Sequence, residues 1–126
     1  MTALQDDVRA IQSALSSIRT PATPGEYDIH AEVGRALERA GIGHSHEFKL
    51  APRCRIDFLA GRIGIEIKKG RPVPSTLREQ LSRYLQSDAL DAIIVVTQRA
   101  VPLPASIAGK PVYLISLNQL WGVALP

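Results

Sequence analysis

RIDFLAGRIGIEIKKG, residues 55–70, decides how this chain is read. Apolar and polar residues alternate on both sides of Gly61, the pattern of two strands joined by a tight turn. With Gly61-Arg62 as a two-residue turn, glycine stands in the first central position, where a type II′ hairpin wants it. Counting outward sets the register. Ala60 faces Ile63, Leu59 faces Gly64, Phe58 faces Ile65, and Asp57 faces Glu66. Alternation then puts Arg55, Asp57, Glu66 and Lys68 on one face, and Ile56, Phe58, Ile65 and Ile67 on the other, the core face. Two carboxylates directly opposite each other stand roughly 5 Å apart at Cβ and repel. A sheet shaped for stability alone has no use for that pair. A divalent cation reverses its sign, because two carboxylate oxygens are what Mg²⁺ takes when it also keeps waters and binds phosphate.

The elements on either side are predicted from periodicity. Leu4, Val8, Ile11, Leu15 and Ile18 recur at helical spacing over residues 4–18, with Asp6 and Asp7 suited to the N-terminal end. TPATPGE, residues 20–26, breaks that pattern. The first helix and its Pro/Gly linker, residues 1–25, are therefore expected as an appendage, packed on the domain or on a second copy of the chain. Residues 26–126 form the core domain. A second helix is expected over Asp28–Ala40, closed by Gly41. Strands are expected at 46–50, 55–60 and 63–68, then a helix over Ser75–Gln86, with Ser75 or Thr76 as its cap. AIIVVT, residues 92–97, has no polar alternation and suits a strand covered on both faces. A short helical turn near Ala105, a strand at 112–117 and an unassigned tail complete the chain. The class is α/β: a mixed central sheet flanked by helices, its crossover through helix 75–86 permitting parallel pairing.

Composition narrows the function. The chain has 126 residues, 45% hydrophobic and 21% charged, which fits one soluble globular core. No apolar run approaches a membrane span, and the N-terminus lacks the features of a signal peptide. The single cysteine, Cys54, fits a reducing, intracellular (cytoplasmic) setting, and no Cys/His zinc spacing occurs. The net charge is only +3, yet residues 49–83 hold nine basic side chains and three acids. That segment carries +6 and the rest of the chain −3. A basic segment around clustered acids points to a polyanionic partner.

Further residues are candidates for the same site. Glu32, on helix 28–40, stands at the core edge with the acidic pair within reach, or else pairs with Arg35 or Arg39 as a surface glutamate. Gln80 and Tyr84, four apart on helix 75–86, share a face turned to a ligand beside the sheet, or form a half-buried helix surface. His30, His44 and His46 read as surface or strand-edge residues, since GHSHEF offers no third metal ligand nearby. Glu47 reads as an ordinary strand residue, and Trp121 as packing or an interface anchor.

Together these residues resemble the PD-(D/E)XK, or restriction-endonuclease-like, nuclease superfamily over residues 28–116. The motif residues are Asp57 and Glu66-Ile67-Lys68. Ile56 stands where that motif often has proline. The family's αβββαβ order matches the predicted elements, Glu32 matches its upstream helical glutamate, and Gln80-Leu-Ser-Arg-Tyr84 matches the Gln-x-x-x-Tyr of its exonuclease and repair branch. The resemblance implies Mg²⁺- or Mn²⁺-dependent hydrolysis of DNA. Asp57, Glu66 and the Ile67 carbonyl would hold the metal, with Glu32 assisting. Lys68 would position or activate water, and Gln80 and Tyr84 would orient the site or touch DNA. Arg55, Arg62, Lys69, Arg71, Arg78 and Arg83 are the candidate DNA contacts. Double-stranded or branched DNA is the expected substrate, recognised by shape. A homodimer through helix 4–18 or the tail 118–126 is expected to supply two active sites. Two other readings stay open: a non-catalytic DNA-binding or assembly module, and an enzyme acting on RNA or a small phosphorylated substrate.

Overall fold

A computed structural model of the chain describes residues 2–18 and 26–120. The linker around 19–25 and the tail from Trp121 lie outside the described residues. The elements are α1 (Ala3–Leu15), α2 (Glu26–Arg39), β1 (Ser45–Ala51), β2 (Cys54–Ala60), β3 (Ile63–Lys68), α3 (Pro74–Leu85), β4 (Ala92–Thr97), β5 (Ser106–Ile107), β6 (Lys110–Ser116) and the short α4 (Leu117–Leu120).

One six-stranded mixed sheet runs in the order β1-β2-β3-β4-β6-β5. β1, β2 and β3 are antiparallel neighbours, as hairpins must be. β3, β4 and β6 are parallel, and α3 is the crossover that lets β4 lie beside β3 in the same direction. β2 and β3 pair Ala60 with Ile63, Leu59 with Gly64 and Phe58 with Ile65, the register counted from the turn. Gly61 has φ +61 and Arg62 is not in the left-handed region, as the type II′ turn demands.

Both sheet faces are covered. α1 and α2 pack on one, with Val8, Ile11, Leu15, Ile29, Val33 and Leu37 meeting Phe58, Ile65, Ile67 and Ile94. α3 packs on the other, with Leu77, Leu81 and Leu85 meeting Ile56, Ile93 and Val95. β4 is buried along its whole length, which explains its unbroken apolar run.

Three expectations change here, while α1 takes one of the two packings expected for it: Val8, Ile11, Leu15 and Ile18 belong to the α2-side core of the domain. A capping box, with Thr2 and Gln5 bonding reciprocally, starts α1. α3 begins one residue before Ser75, on Pro74, with Val73 as a cap that makes no side-chain bond. Proline at the first helical position supplies the start that a hydroxyl was expected to give. The predicted turn near Ala105 is instead β5, a two-residue strand joined to β6 through Ala108 (φ 54) and Gly109 (φ +76). Ile56 and Phe58 lie on opposite faces, Ile56 beneath α3 and Phe58 beneath α2.

That last change positions the site. β1 and β2 pair His46 with Phe58 and Phe48 with Ile56, and between those pairs Glu47 takes φ 55. A non-glycine residue there costs about 1 kcal/mol or more. The turnover lets His46 and Phe58 face α2 while Phe48 and Ile56 face α3.

Gly64 sits on the α3 face, where a Cβ would stand 2.3 Å from Ile56 Cδ1 and 3.2 Å from Leu90 Cδ2. Gly64→Ala is therefore expected to overpack this face and destabilise the fold by about 1–3 kcal/mol. Thermal unfolding checks this, and an unchanged midpoint would show that Ile56 and Leu90 can move aside freely.

Candidate functional site

The β2–β3 ladder is regular from the turn to Phe58 and Ile65, and beyond that pair side chains take its place. The Ile67 amide donates to Asp57 Oδ2 at 2.8 Å, and the Asp57 amide donates to Glu66 Oε1 at 3.3 Å. The two strands form a fork, and the carboxylates of Asp57 and Glu66 occupy its mouth. The two acids are brought to the same mouth by bonds to backbone amides, not by the ladder pairing that alternation predicts, which ends at Phe58 and Ile65.

Glu66 is 3% exposed. Its Oε2 lies 3.2 Å from Lys68 Nζ and 3.2 Å from the Tyr84 hydroxyl. Burial, followed by the charge of Asp57, pushes the Glu66 carboxyl up to about 7, against the pull of Lys68. Tyr84 has one phenolic proton and two acceptors, the Arg55 carbonyl at 3.1 Å and Glu66 Oε2. Gln80 Nε2 donates to the Tyr84 hydroxyl oxygen at 2.8 Å. Burial first, and then Glu66, raise the Tyr84 pKa, so the phenol stays protonated and able to donate. The four-residue spacing of Gln80 and Tyr84 thus places both on the sheet side of α3, beside the acid.

Asp57, Glu66, Lys68, Gln80 and Tyr84 are brought together. Glu32 is not joined to them: it is ion-paired with Arg35 one turn along α2, the surface role weighed for it in the sequence. The α2 residue that meets Asp57 is His30, its Nε2 3.6 Å from Asp57 Oδ2 and its Nδ1 3.2 Å from His46 Nε2. His46 in turn stacks on Phe58, with ring centroids 4.6 Å apart. Reading these histidines as strand-edge residues missed this contact. Glu47, read as ordinary, carries the backbone turnover and lies 3.7 Å from Arg55.

The basic residues divide. Arg55, Lys69, Arg71, Arg78 and Arg83 are exposed. Arg62 is not a free DNA contact. It grips Asp91 at 2.6 and 3.1 Å and also the Asp88 carbonyl, clasping the start of β3 to the loop before β4. That hydrogen-bonded pairing raises the Arg62 pKa and lowers that of Asp91. The clasp stands at the opposite end of β3 from Lys68.

Among the described residues, no group of three or more His, Cys, Asp or Glu side chains is arranged to hold a metal ion. The carboxylates of Asp57 and Glu66 are a smaller set, of hard oxygen donors only. Such a set suits a cation that keeps several waters, not zinc. A buried carboxyl raised by its carboxylate neighbour is also a place where added positive charge is favourable. The residues present therefore fit Mg²⁺ or Mn²⁺.

Two cavities adjoin Lys68 and Tyr84, the side chains that touch Glu66, and Gln80 lines both. One, of about 160 Å³, is bounded by Lys68, Pro72, Val73, Thr76 and Leu77. The other, of about 420 Å³, is bounded by Lys49, Arg53, Arg55, Arg83 and Tyr84. Among the described residues no helix is long and apolar enough to cross a membrane. No family model, no curated protein and no solved structure matches this chain.

Proposed function

We propose that the chain is a metal-dependent deoxyribonuclease of the PD-(D/E)XK kind, an αβββαβ core hydrolysing phosphodiester bonds. The observation that carries this reading is the fork itself. A buried Glu66 and Asp57 share the mouth between β2 and β3, with Lys68 Nζ 3.2 Å from the buried acid. Such an arrangement disfavours the bare fold and favours a bound cation.

Asp57, Glu66 and the Ile67 carbonyl are the groups that would hold Mg²⁺ or Mn²⁺. When bound, that cation would polarise the scissile phosphate and lower the pKa of water. The chain's own residues supply the rest. The Ile67 amide holds the Asp57 carboxylate in place, and the Tyr84 hydroxyl and Lys68 hold Glu66. Lys68 carries its ammonium where an attacking water and the charge developing on phosphate both gain from it. Gln80 orients the Tyr84 hydroxyl. Arg55, Lys69, Arg71, Arg78 and Arg83 offer the exposed positive charge that a polyphosphate backbone needs.

The test is cleavage of supercoiled, linear and four-way-branched DNA, with RNA alongside, in Mg²⁺ or Mn²⁺. Wild type is expected to cut DNA and Asp57→Ala to leave it intact. DNA bound but never cut would point to the non-catalytic binding module. Equal cutting by Asp57→Ala would place the activity elsewhere.

A further inference from the structure

The 420 Å³ cavity contains more positive charge than the cleavage chemistry uses. Lys49, Arg53, Arg55 and Arg83 line it, and Gln80 and Tyr84 form the wall it shares with the acids. Of the four cations, Arg55 lies 3.7 Å from Glu47. Among the described residues, Lys49, Arg53 and Arg83 enter no ion pair. Cations lining one concave site without matching carboxylates repel one another, and an anion relieves that repulsion.

The backbone beneath Arg53 adds an independent observation. Arg53 sits in the β1–β2 turn at φ 60, a conformation that glycine adopts without penalty. An arginine there strains the turn while contributing a guanidinium to the cavity wall. The size of the cavity lies in the range that holds small ligands.

We propose that this cavity is a second phosphate site. It would take the phosphate next to the cleaved one along the same strand, whether internal or at a phosphorylated end. The proposal rests on the nuclease reading for the identity of the strand, since Gln80 separates the Lys68 cavity from the cationic one. A strand with its scissile phosphate at Lys68 would cross Gln80 to reach it. The ligand class, a phosphate group held by arginine forks, follows from the cavity's own residues.

The experiment measures binding of a short fluorescent DNA duplex in EDTA, where cleavage plays no part. One duplex carries 5′-phosphate ends and the other hydroxyl ends. Arg53→Gly removes a cation and relieves the strained turn, so its melting temperature should hold or rise. Arg83→Ser removes a second cation from α3. Arg9→Ser, on the outer side of α1, makes the same charge change away from the cavity. Arg53→Gly and Arg83→Ser are each expected to weaken binding about tenfold, the loss of one charge-assisted contact. Arg9→Ser should stay within about twofold, as expected for a distant, screened charge. A wild-type preference for the phosphorylated duplex that disappears in Arg53→Gly would assign a terminal phosphate. Equal weakening for both duplexes would assign an internal one. Binding by Arg53→Gly and Arg83→Ser that matches Arg9→Ser would overturn the proposal. Wild type that binds through Arg53 and Arg83 yet cuts nothing would sink the nuclease reading and leave the phosphate site standing.

Discussion

Glu66→Gln is expected to make the metal-free protein more stable above pH 7. Burial and the Asp57 charge raise the Glu66 carboxyl from an ordinary 4.5 to about 7. A carboxyl whose pKa is higher in the folded state than in the unfolded state favours the fold while it is protonated. Its contribution is whole below the unfolded value and is lost as the pH rises through about 7. Across that window the loss is on the order of 3 kcal/mol, shared with the coupled Asp57. Glutamine can keep its oxygen on the Asp57 amide while its NH2 donates to the Tyr84 oxygen, whose own proton then goes to the Arg55 carbonyl, and the titration is removed. Lys68, about a quarter exposed, can turn its ammonium to water when its partner is neutral. Thermal unfolding in EDTA from pH 5 to pH 8 reads the difference. Wild type should lose stability toward pH 8 and the variant should not. Parallel curves would mean that Glu66 ionises without cost where it lies.

Lys68→Ala is expected to lower DNA cleavage by a factor of about 10²–10⁴, the usual range for one positioned acid–base or electrostatic group. DNA binding should change much less, because exposed Lys69, Arg71 and Arg78 still face solvent beside the site. The substitution also removes a group that holds the Glu66 pKa down, so the carboxyl should rise further. Single-turnover cleavage measured beside a filter-binding assay separates the two effects. Equal losses in both would make Lys68 a binding residue rather than a participant in the reaction.

The hairpin was legible because two signals agreed. Alternation gave the faces, and glycine at a position requiring φ +61 gave the register. The pairing of Gln80 with Tyr84 was legible for the same kind of reason, since four residues return a helix to the same side. The fork was not legible. It depends on Glu47 adopting φ 55, which no local preference of glutamate favours, and on Asp57 bonding to the Ile67 amide across the strand pair. Alternation carried past that point placed Ile56 on the wrong face. α1 showed its apolar stripe plainly, but a stripe does not name what it packs on. Glu32 and His30 lie two apart on α2. Residues two apart point to nearly opposite sides of a helix, and the structure turns His30 toward Asp57 and Glu32 toward Arg35.

In the proposed site Asp57 and Glu66 converge at the mouth of the fork to share a cation. Calorimetric titration of the protein with Mn²⁺ at pH 8, wild type beside Glu66→Gln, tests this most directly and needs no substrate. The expected result is saturable binding by wild type, with little proton release at pH 8, where the raised carboxyl is already mostly ionised, and loss of that binding in Glu66→Gln. No binding by wild type, or the same binding by both proteins, would contradict a shared-cation site in the fork.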